Sequence, residues 1–340
     1  MKKEPLFGKD IHELNEVVLD MGLPKFAAKQ MAQWLYAKGV SEIDAMTNIS
    51  VKARAALNER FCVGRYKPDS YRESIDGTRK YLFRTPQNRY TIETAMIPDD
   101  ERRTLCVSSQ VGCKMKCLFC MTGRGGFEAN LTATDIINQY ASIEESRDIS
   151  NIVFMGMGEP LDNVDSVIKS INILTSDWGY GLSPRRITLS TIGVQSQLRR
   201  IIEDTQVHIA ISIHSPFSEE RQSLMPSEQA FPIANTISML REYDWSGQRR
   251  LSFEMTLFHG LNDTNKHAEA MAKLLKGLPC RVNLIRFNSI PDTKLQGCTQ
   301  KQMEQFRDRL NELHVIATIR NSKGQDIEAA CGLLKATEEN

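Results

Sequence analysis

Alternating strands and helices in the last 240 residues most restrict the fold of this chain. Short apolar runs with strand character alternate with amphipathic segments of helical period. The predicted strands cover residues 104–109, 151–155, 186–190, 207–213, 250–258, 281–286 and 315–319. The predicted helices cover residues 132–146, 162–176, 194–204, 230–243, 264–276 and 299–313. This alternation predicts a parallel sheet, barrel-like or open, with ligands at the carboxyl ends of its strands.

The first 100 residues follow a different pattern. Apolar residues at helical spacing predict three helices, at residues 11–21, 25–37 and 51–61. A turn at Asp76-Gly77 separates two strand-like runs and predicts a β-hairpin, followed by a third strand at residues 89–97. Residues 1–90 contain 16 Lys and Arg against 11 Asp and Glu. Such a basic excess is compatible with nucleic-acid binding and equally with a solvated surface.

Composition excludes several classes of protein. The chain has 340 residues, of which 41% are hydrophobic and 25% charged. These are ordinary globular values that argue against dominant disorder. No run of about 18 apolar residues is present, so we expect no membrane-spanning helix, and we expect a soluble, cytoplasmic protein.

Cysteine spacing is the main clue to chemistry. Four of the eight cysteines lie within 15 residues, and Cys113, Cys117 and Cys120 form C-x-x-x-C-x-x-C in a loop after a strand. In a cytoplasmic chain such cysteines are typically reactive or metal-binding. Three thiolates suit a [4Fe–4S] cluster with one open iron, because structural zinc normally takes four protein ligands. A zinc site with a distant fourth ligand, or thiols without a metal, remains an alternative.

The cysteine loop and a second motif together resemble the radical S-adenosylmethionine superfamily. The second motif is Gly156-Met157-Gly158-Glu159-Pro160, after the next predicted strand. The resemblance implies an α/β fold with a partial (βα)6 barrel, and a [4Fe–4S] cluster held by the three cysteines. It also implies that one electron from this cluster cleaves S-adenosylmethionine and releases a 5′-deoxyadenosyl radical.

A narrower resemblance covers nearly the whole chain and points to the RlmN/Cfr family, the adenine methyltransferases of 23S ribosomal RNA and transfer RNA. The matching segments are Gln33-Trp34-Leu35-Tyr36, Met46-Thr47-Asn48, and residues 76–80, 105–110, 185–191, 211–214, 282–285 and 326–332. The implied domains are a helical RNA-binding domain (1–65), a β extension (66–100) and the partial barrel (101–335). The implied partners are 23S rRNA, tRNA and a reductant such as flavodoxin or ferredoxin. We expect no membrane partner and a monomer.

The same resemblance assigns catalytic roles to three residues. It implies that Cys331 takes a methyl group from one S-adenosylmethionine, and that a second molecule is cleaved to generate a methylene radical on that sulfur. The radical adds to the adenine, and Cys106 resolves the covalent adduct, leaving a Cys106–Cys331 disulfide. Glu93 matches the proton acceptor of the family. Without the resemblance, two buried thiols and a strand carboxylate on a solvated face are the ordinary interpretations.

Cofactor contacts and RNA contacts are less specific. The residues that match the family's cofactor contacts are Gly158, Glu159, Ser190, Ser212, Ile213, His214 and Asn288. Candidate phosphate contacts, for which positive charge suffices, are Lys114, Lys116, Arg124, Arg185 and Arg186. We assign Cys62, Cys280 and Cys298 to packing.

Three alternatives remain open from the sequence. Residues 191–193 and 214–221 resemble the branch of the family that methylates carbon 8, whereas the helices before residue 65 and residues 113–123 favour carbon 2. An activating enzyme of the same superfamily would need the cluster but not Cys106 and Cys331. A zinc-containing RNA-binding module would be colourless, whereas an iron–sulfur protein is brown.

Overall fold

The computed structural model describes residues 3–87 and 89–335. Its N-terminal unit packs around a hydrophobic core formed mainly by residues between Leu6 and Val63 and completed by Ile137, Ala141 and Ile173 from later in the chain. The elements of this unit are β1 (Glu4–Pro5), α1 (Ile11–Asp20), α2 (Ala27–Ala32), a π-helical turn (Gln33–Ala37), α3 (Val51–Arg60) and β2 (Phe61–Cys62). Asp10 caps α1 by accepting hydrogen bonds from the backbone N–H groups of His12 and Glu13, both at 2.9 Å. The three predicted helices are therefore confirmed.

A second group of strands follows and forms an antiparallel extension. It consists of β3 (Ser70–Glu73), β4 (Arg79–Arg84) and β5 (Thr91–Asp99), which pair in that order and then join β6 (Arg102–Cys106). The hairpin predicted around Asp76-Gly77 is confirmed.

The remaining elements alternate as the sequence predicts. They are β7 (Gln110–Gly112), α4 (Met121–Arg124), β8 (Phe127–Asn130), α5 (Ala133–Ala141), β9 (Asn151–Phe154), α6 (Val164–Thr175), β10 (Ile187–Thr191), α7 (Gln195–Asp204), β11 (His208–Ser212), α8 (Ser218–Leu224), α9 (Ile233–Leu240), β12 (Leu251–Leu257), α10 (Asn265–Leu275), β13 (Arg281–Arg286), α11 (Gln300–Glu312) and β14 (Ala317–Arg320).

Within the described residues, one sheet contains ten strands in the order β14-β13-β12-β11-β10-β9-β6-β5-β4-β3. Pairing is parallel from β6 through β14 and antiparallel from β3 to β6. Strands β14 and β3 are the two edges of the sheet, so it does not close on itself. This topology confirms the α/β class and the partial (βα)6 barrel with its helical N-terminal unit and β extension.

Several details differ from the sequence prediction, among them the bounds of one strand and the presence of one short helix. The strand predicted at 104–109 lies at 102–106, because residues 110–112 leave the sheet and pair with β8 instead. Helix α8 was not predicted, because it has only seven residues.

No helix among residues 3–87 and 89–335 combines the length and the apolar character that crossing a bilayer requires.

Candidate active site

The cysteine loop and the carboxyl ends of the parallel strands surround one cavity that is open to solvent. Most of the residues that the sequence selects line it together. They are Cys113, Cys117, Cys120, Gly158, Glu159, Ser190, Ser212, His214, Asn288 and Cys331. The Ile213 side chain belongs to the hydrophobic core instead. A cavity at this end of a parallel sheet is where ligands of such folds bind.

Backbone contacts fix the cysteine loop at both ends. The Cys113 N–H donates to the Gly126 carbonyl at 2.7 Å, and the Leu118 N–H donates to the Leu224 carbonyl at 3.0 Å. Gly112, just before the first cysteine, has φ +74°, and a Cβ there would lie 1.9 Å from the Gly126 oxygen. The loop therefore depends on a residue without a side chain at position 112.

We expect Gly112→Ala to destabilise the protein by at least about 2 kcal/mol, since it adds a backbone clash to the cost of a positive φ. Reconstituted Gly112→Ala protein should also hold less iron. Gly126→Ala is the matched control, because Gly126 has φ +81° but open space where the Cβ would stand. It should cost only about 1 kcal/mol. Urea unfolding and iron analysis measure both effects, and equal losses in the two variants would contradict the prediction.

The three thiols fit a cluster better than a single ion. Within the described residues, no group of three His, Cys, Asp or Glu side chains is arranged to hold one metal ion. A [4Fe–4S] cluster bonds each thiolate to a different iron, so it needs three thiols around one cavity, as found here. Burial raises the pKa of Cys113 to about 12 and that of Cys117 well above its usual value. These two thiols keep their protons at neutral pH unless a cation replaces them.

The carboxylate of Glu159 is held in place by hydrogen bonds from the protein itself. Its buried carboxylate accepts hydrogen bonds from Thr191 Oγ1 at 2.6 Å, from the Ile192 N–H at 3.0 Å and from the Leu161 N–H at 3.1 Å. Burial raises its pKa to about 7 although these donors oppose the shift. Gly158 has φ +100°, and a Cβ there would lie 2.5 Å from Gln110 Cβ. The motif therefore leaves backbone groups, rather than this carboxylate, to face a ligand.

His214 is a neutral residue in this site. Its Nδ1 accepts a hydrogen bond from the Thr256 N–H at 3.0 Å, so its proton resides on Nε2. Burial, and then the charge of Arg221, lower the pKa of His214 to about 3. Its ring packs on Phe119, with 4.5 Å between ring centroids. His214 can donate one hydrogen bond to a ligand, and it cannot act as a base that becomes charged near neutral pH.

A fully buried arginine, which the sequence analysis did not select, holds the strand ends that face the cavity. Arg221 donates to the carbonyls of Ser212 at 2.9 Å, Ile192 at 3.0 Å and Ile213 at 3.1 Å. Its guanidinium also pairs with the buried carboxylate of Glu228. Arg221 thus links the carboxyl ends of β10 and β11, which carry Ser190 and Ser212, to α8.

Residues 329–335, which we call the C-terminal segment, place Cys331 between the cysteine loop and β5. The Cys331 carbonyl accepts from Asn288 Nδ2 at 3.1 Å, and the Gly332 carbonyl accepts from the Met121 N–H at 2.8 Å. Thr122 Oγ1 donates to the Leu334 carbonyl. The amide oxygen of Asn288 is itself held by Ser322 and Gln325. Asn288 therefore positions the segment that carries Cys331.

Cys106 lies next to Cys331, at the base of a second cavity that both residues line. Cys106 packs against Ala329 of the C-terminal segment, and all eight cysteines, which lie within the described ranges, are free thiols. Burial, and then the neighbouring Cys331, raise the pKa of Cys106 to about 12. Cys331 is exposed as a residue, but the protein atoms around its thiol displace water and raise its pKa, whereas the charge of Arg320 lowers it.

Arg320 and Glu254 form a pair beside these thiols that sequence reasoning missed. Arg320 Nη1 lies 3.6 Å from Glu254 Oε2 and 3.5 Å from the Met155 sulfur. Glu254 is 3% exposed, and its Oε2 has no hydrogen-bond partner among the described residues. No local motif marks either residue, so only the pairing of the strands could reveal them.

Glu93 is buried at the end of the C-terminal segment, outside the cysteine-lined cavity. Its carboxylate pairs with Lys80 Nζ at 3.0 Å and accepts from the Lys335 N–H at 2.8 Å. It lies on β5 two residues from Ala95, which pairs with Cys106 on β6. Burial raises the pKa of Glu93, and Lys80 opposes that shift.

The candidate RNA contacts divide between the two ends of the barrel. Lys114 pairs with Asp162 at 2.9 Å and stacks on Phe127 beside the cysteine loop, where Lys116 is exposed. Arg124 donates to the Pro291 carbonyl nearby. Arg185 and Arg186 instead precede the first residue of β10, at the opposite end.

Two family models match this chain. Residues 107–275 match the radical SAM superfamily, and residues 5–63 match the ribosomal RNA large subunit methyltransferase N-terminal domain. These matches cover most of the barrel and the helical N-terminal unit.

Similar proteins extend the match to nearly the full chain. A probable dual-specificity RNA methyltransferase RlmN of Parabacteroides distasonis is 54% identical over 99% of this chain and 98% of its own length. The dual-specificity RNA methyltransferase RlmN of Syntrophus aciditrophicus is 40% identical over 97% and 96%. The crystal structure of a radical SAM methyltransferase from Sphaerobacter thermophilus is 37% identical, with a TM-score of 0.91, and covers 98% of this chain and 100% of its own. The chain belongs to the RlmN family of dual-specificity RNA methyltransferases, within the radical SAM superfamily.

Proposed function

We propose that this protein methylates carbon 2 of a specific adenine in 23S rRNA and in tRNA, using a methyl group carried on Cys331. The observation that supports this most directly is the position of Cys331, which lines the same cavity as the three loop cysteines and also lines the cavity of Cys106. Carbon 2 of adenine is electron-poor and has no acidic proton, so a sulfonium methyl donor alone cannot methylate it. A methyl carrier that reacts as a radical meets this difficulty.

A [4Fe–4S] cluster on Cys113, Cys117 and Cys120 would supply the electron that cleaves S-adenosylmethionine into methionine and a 5′-deoxyadenosyl radical. The electron itself would come from a reductant such as flavodoxin or ferredoxin. For this cofactor we propose the backbone at Gly158 and Glu159, the hydroxyl groups of Ser190 and Ser212, the backbone of Ile213, and the Nε2 proton of His214. Asn288 would contribute chiefly by holding the Cys331 segment.

Cys331 has two tasks in this scheme, and each turnover uses two molecules of S-adenosylmethionine. As a thiolate it first accepts a methyl group by displacement, and the charge of Arg320 favours that ionised form. The 5′-deoxyadenosyl radical takes a hydrogen atom from the S-methyl group, whose carbon then bonds to carbon 2 of the adenine. The unpaired electron of this adduct would return to the oxidised cluster, and the proton on carbon 2 would pass to a base. Cys106 attacks the sulfur of Cys331 to release the methylated base, and a disulfide between the two cysteines remains.

We propose Glu93 as the proton acceptor. Held between Lys80 and the backbone of Lys335, it is close to the segment that carries Cys331. We expect Glu93→Gln to lower the methylation rate by about 10²–10⁴-fold, because the amide cannot take a proton. Nucleoside mass spectrometry measures the rate, and a rate within a factor of two of wild type would contradict the role.

The pH dependence provides a separate check of Glu93. The base is active when deprotonated, so the methylation rate should fall as pH decreases through its raised pKa. Lys80→Met removes the cation that stabilises the carboxylate, so the acidic limb should move to higher pH. An unchanged limb in Lys80→Met would exclude Glu93 as the group that titrates.

For the domains we propose residues 1–65 as an RNA-binding unit, 66–100 as the β extension and 101–335 as the catalytic barrel. Deleting the N-terminal unit is a poor test, because its core includes Ile137 and Ile173 of the barrel helices. Replacing the exposed Lys25, Lys29 and Lys52 with Gln tests the unit without exposing that core. Unchanged RNA affinity would contradict the proposal.

Nucleoside analysis tests the whole function. Anaerobically reconstituted protein is incubated with S-adenosylmethionine, a reductant and rRNA or tRNA from cells that lack the modification. We expect 2-methyladenosine in both RNAs. Appearance of 8-methyladenosine would move the protein to the other branch, and cofactor cleavage without RNA methylation would point to a protein substrate.

A further inference from the structure

A further pocket, lined mainly by polar residues, lies at the other end of the barrel, where the parallel strands begin. This pocket, which we call the arginine pocket, is open to solvent, and the residues that line it include Arg102, Arg185, Arg250 and Arg281. These residues stand at or just before the first residues of β6, β10, β12 and β13. Parallel pairing of the strands therefore brings the four side chains to one opening, although they are far apart in sequence.

The four arginine residues of the arginine pocket are exposed to solvent. Among the described residues, none of the four has a side-chain hydrogen bond or an ion pair. Arginines on the outer helices differ: Arg309 pairs with Glu269 at 2.7 Å, and Arg200 pairs with Asp165 at 2.7 Å. Convergent guanidinium groups repel one another, so such an arrangement favours an anion as the missing partner.

Within the described part of the chain, Glu254 is the carboxylate that lines the pocket. Other side chains already contact both of its oxygens. Asn283 donates to its Oε1 at 2.7 Å, and Arg320 lies 3.6 Å from its Oε2. It therefore does not neutralise the four arginines at the opening. The positive charge of these arginines also affects His208. Burial, and then the charges of Arg250, Arg249 and Arg185, lower the pKa of His208 to about 4.

The arginine pocket shares Thr104, Val153, Met155 and Arg320 with the cavity of Cys106 and Cys331, but it opens at the other end of the parallel strands. Met155 and Glu254 line both the arginine pocket and the cysteine-lined cavity, so they form the layer between these two. A ligand in the arginine pocket would lie beneath this layer and would not occupy the positions proposed for S-adenosylmethionine or the target base.

We propose that the arginine pocket is a second binding site that takes contiguous phosphate groups. Guanidinium groups bind phosphate oxygens bidentately, and several of them around one opening match a chain of phosphates better than a single carboxylate. The phosphates could belong to an RNA backbone or to a free polyphosphate, which share this chemistry. Phosphate binding at this pocket would not require the methylation reaction.

Calorimetric titration of the full-length protein with sodium tripolyphosphate tests the site. We expect wild-type protein to bind, and Arg102→Gln/Arg250→Gln/Arg281→Gln to bind at least about tenfold more weakly, since charge-assisted contacts are lost. Lys273→Gln/Lys276→Gln/Lys301→Gln is the matched control, because it removes three exposed charges from outer positions. It should bind within about twofold of wild type. Absence of binding by wild-type protein, or equal weakening in both triple variants, would overturn the proposal.

Titration with a 23S rRNA fragment at several salt concentrations distinguishes the two sources. If the phosphates are those of RNA, the arginine variant should also lose RNA affinity, and the slope of log K against log salt should fall by about 3. Weaker tripolyphosphate binding with unchanged RNA affinity would assign the pocket to a free polyphosphate. Thermal melting of both variants controls for folding, which we expect to be unchanged because the altered side chains are exposed.

Discussion

Cys331→Ala should abolish RNA methylation, with a loss of at least about a thousandfold, while cleavage of S-adenosylmethionine continues. Alanine has no sulfur to accept or carry the methyl group. The fold should persist, because the contact that fixes residue 331 is its backbone carbonyl with Asn288. Mass spectrometry of 2-methyladenosine and 5′-deoxyadenosine in one reaction measures both quantities.

Cys62→Ala is the matched control for that experiment. Cys62 lies on β2 of the N-terminal unit, and its thiol makes one long contact, 3.9 Å to the Lys3 carbonyl. It should methylate RNA at the wild-type rate. Retained methylation in Cys331→Ala would refute the carrier role of this thiol.

Arg221→Met should destabilise the protein by about 3–5 kcal/mol, the usual cost of removing one partner from a buried ion pair. Glu228 would remain buried without its cation, and the carbonyls of Ile192, Ser212 and Ile213 would lose their donor. Denaturant unfolding gives the free energy of unfolding.

Two further variants establish that the ion pair is responsible. Arg309→Met removes an arginine at the surface from its pairs with Glu269 and Glu312 and should change stability far less, because surface ion pairs contribute little. Arg221→Met/Glu228→Leu should be more stable than Arg221→Met alone, because no uncompensated charge stays buried. If the double variant is no more stable, packing rather than charge determines the loss.

Most of the fold follows from local sequence patterns. The period of the apolar residues indicates each parallel strand and the helix after it, and Asp76-Gly77 marks the hairpin. Helix α8 escapes this reasoning because its seven residues depend on tertiary contacts, chiefly those of Arg221. The displaced β6 escapes it because the apolar run Leu105-Cys106-Val107 extends past the end of the strand, and residues 110–112 pair with β8 instead.

The candidate site divides in the same way. The spacing of Cys113, Cys117 and Cys120 is local and was visible in the sequence. The Glu254–Arg320 pair was not, because it joins β12 to β14 and neither residue lies in a motif. The four arginines of the arginine pocket likewise come together only when the strands pair in the sheet.

The C-terminal segment has a consequence for how the enzyme is made. Its contacts join Thr122 to Leu334 and Glu93 to Lys335, which are 212 and 242 positions apart. At 5–20 residues per second, the ribosome needs roughly 10 to 40 s to get from the first member of the Thr122–Leu334 pair to the second. A nascent chain can therefore form the cysteine loop well before it has the residue that accepts the methyl group. A nascent chain that has not yet reached residue 335 lacks these contacts, so we expect it to be unable to methylate RNA.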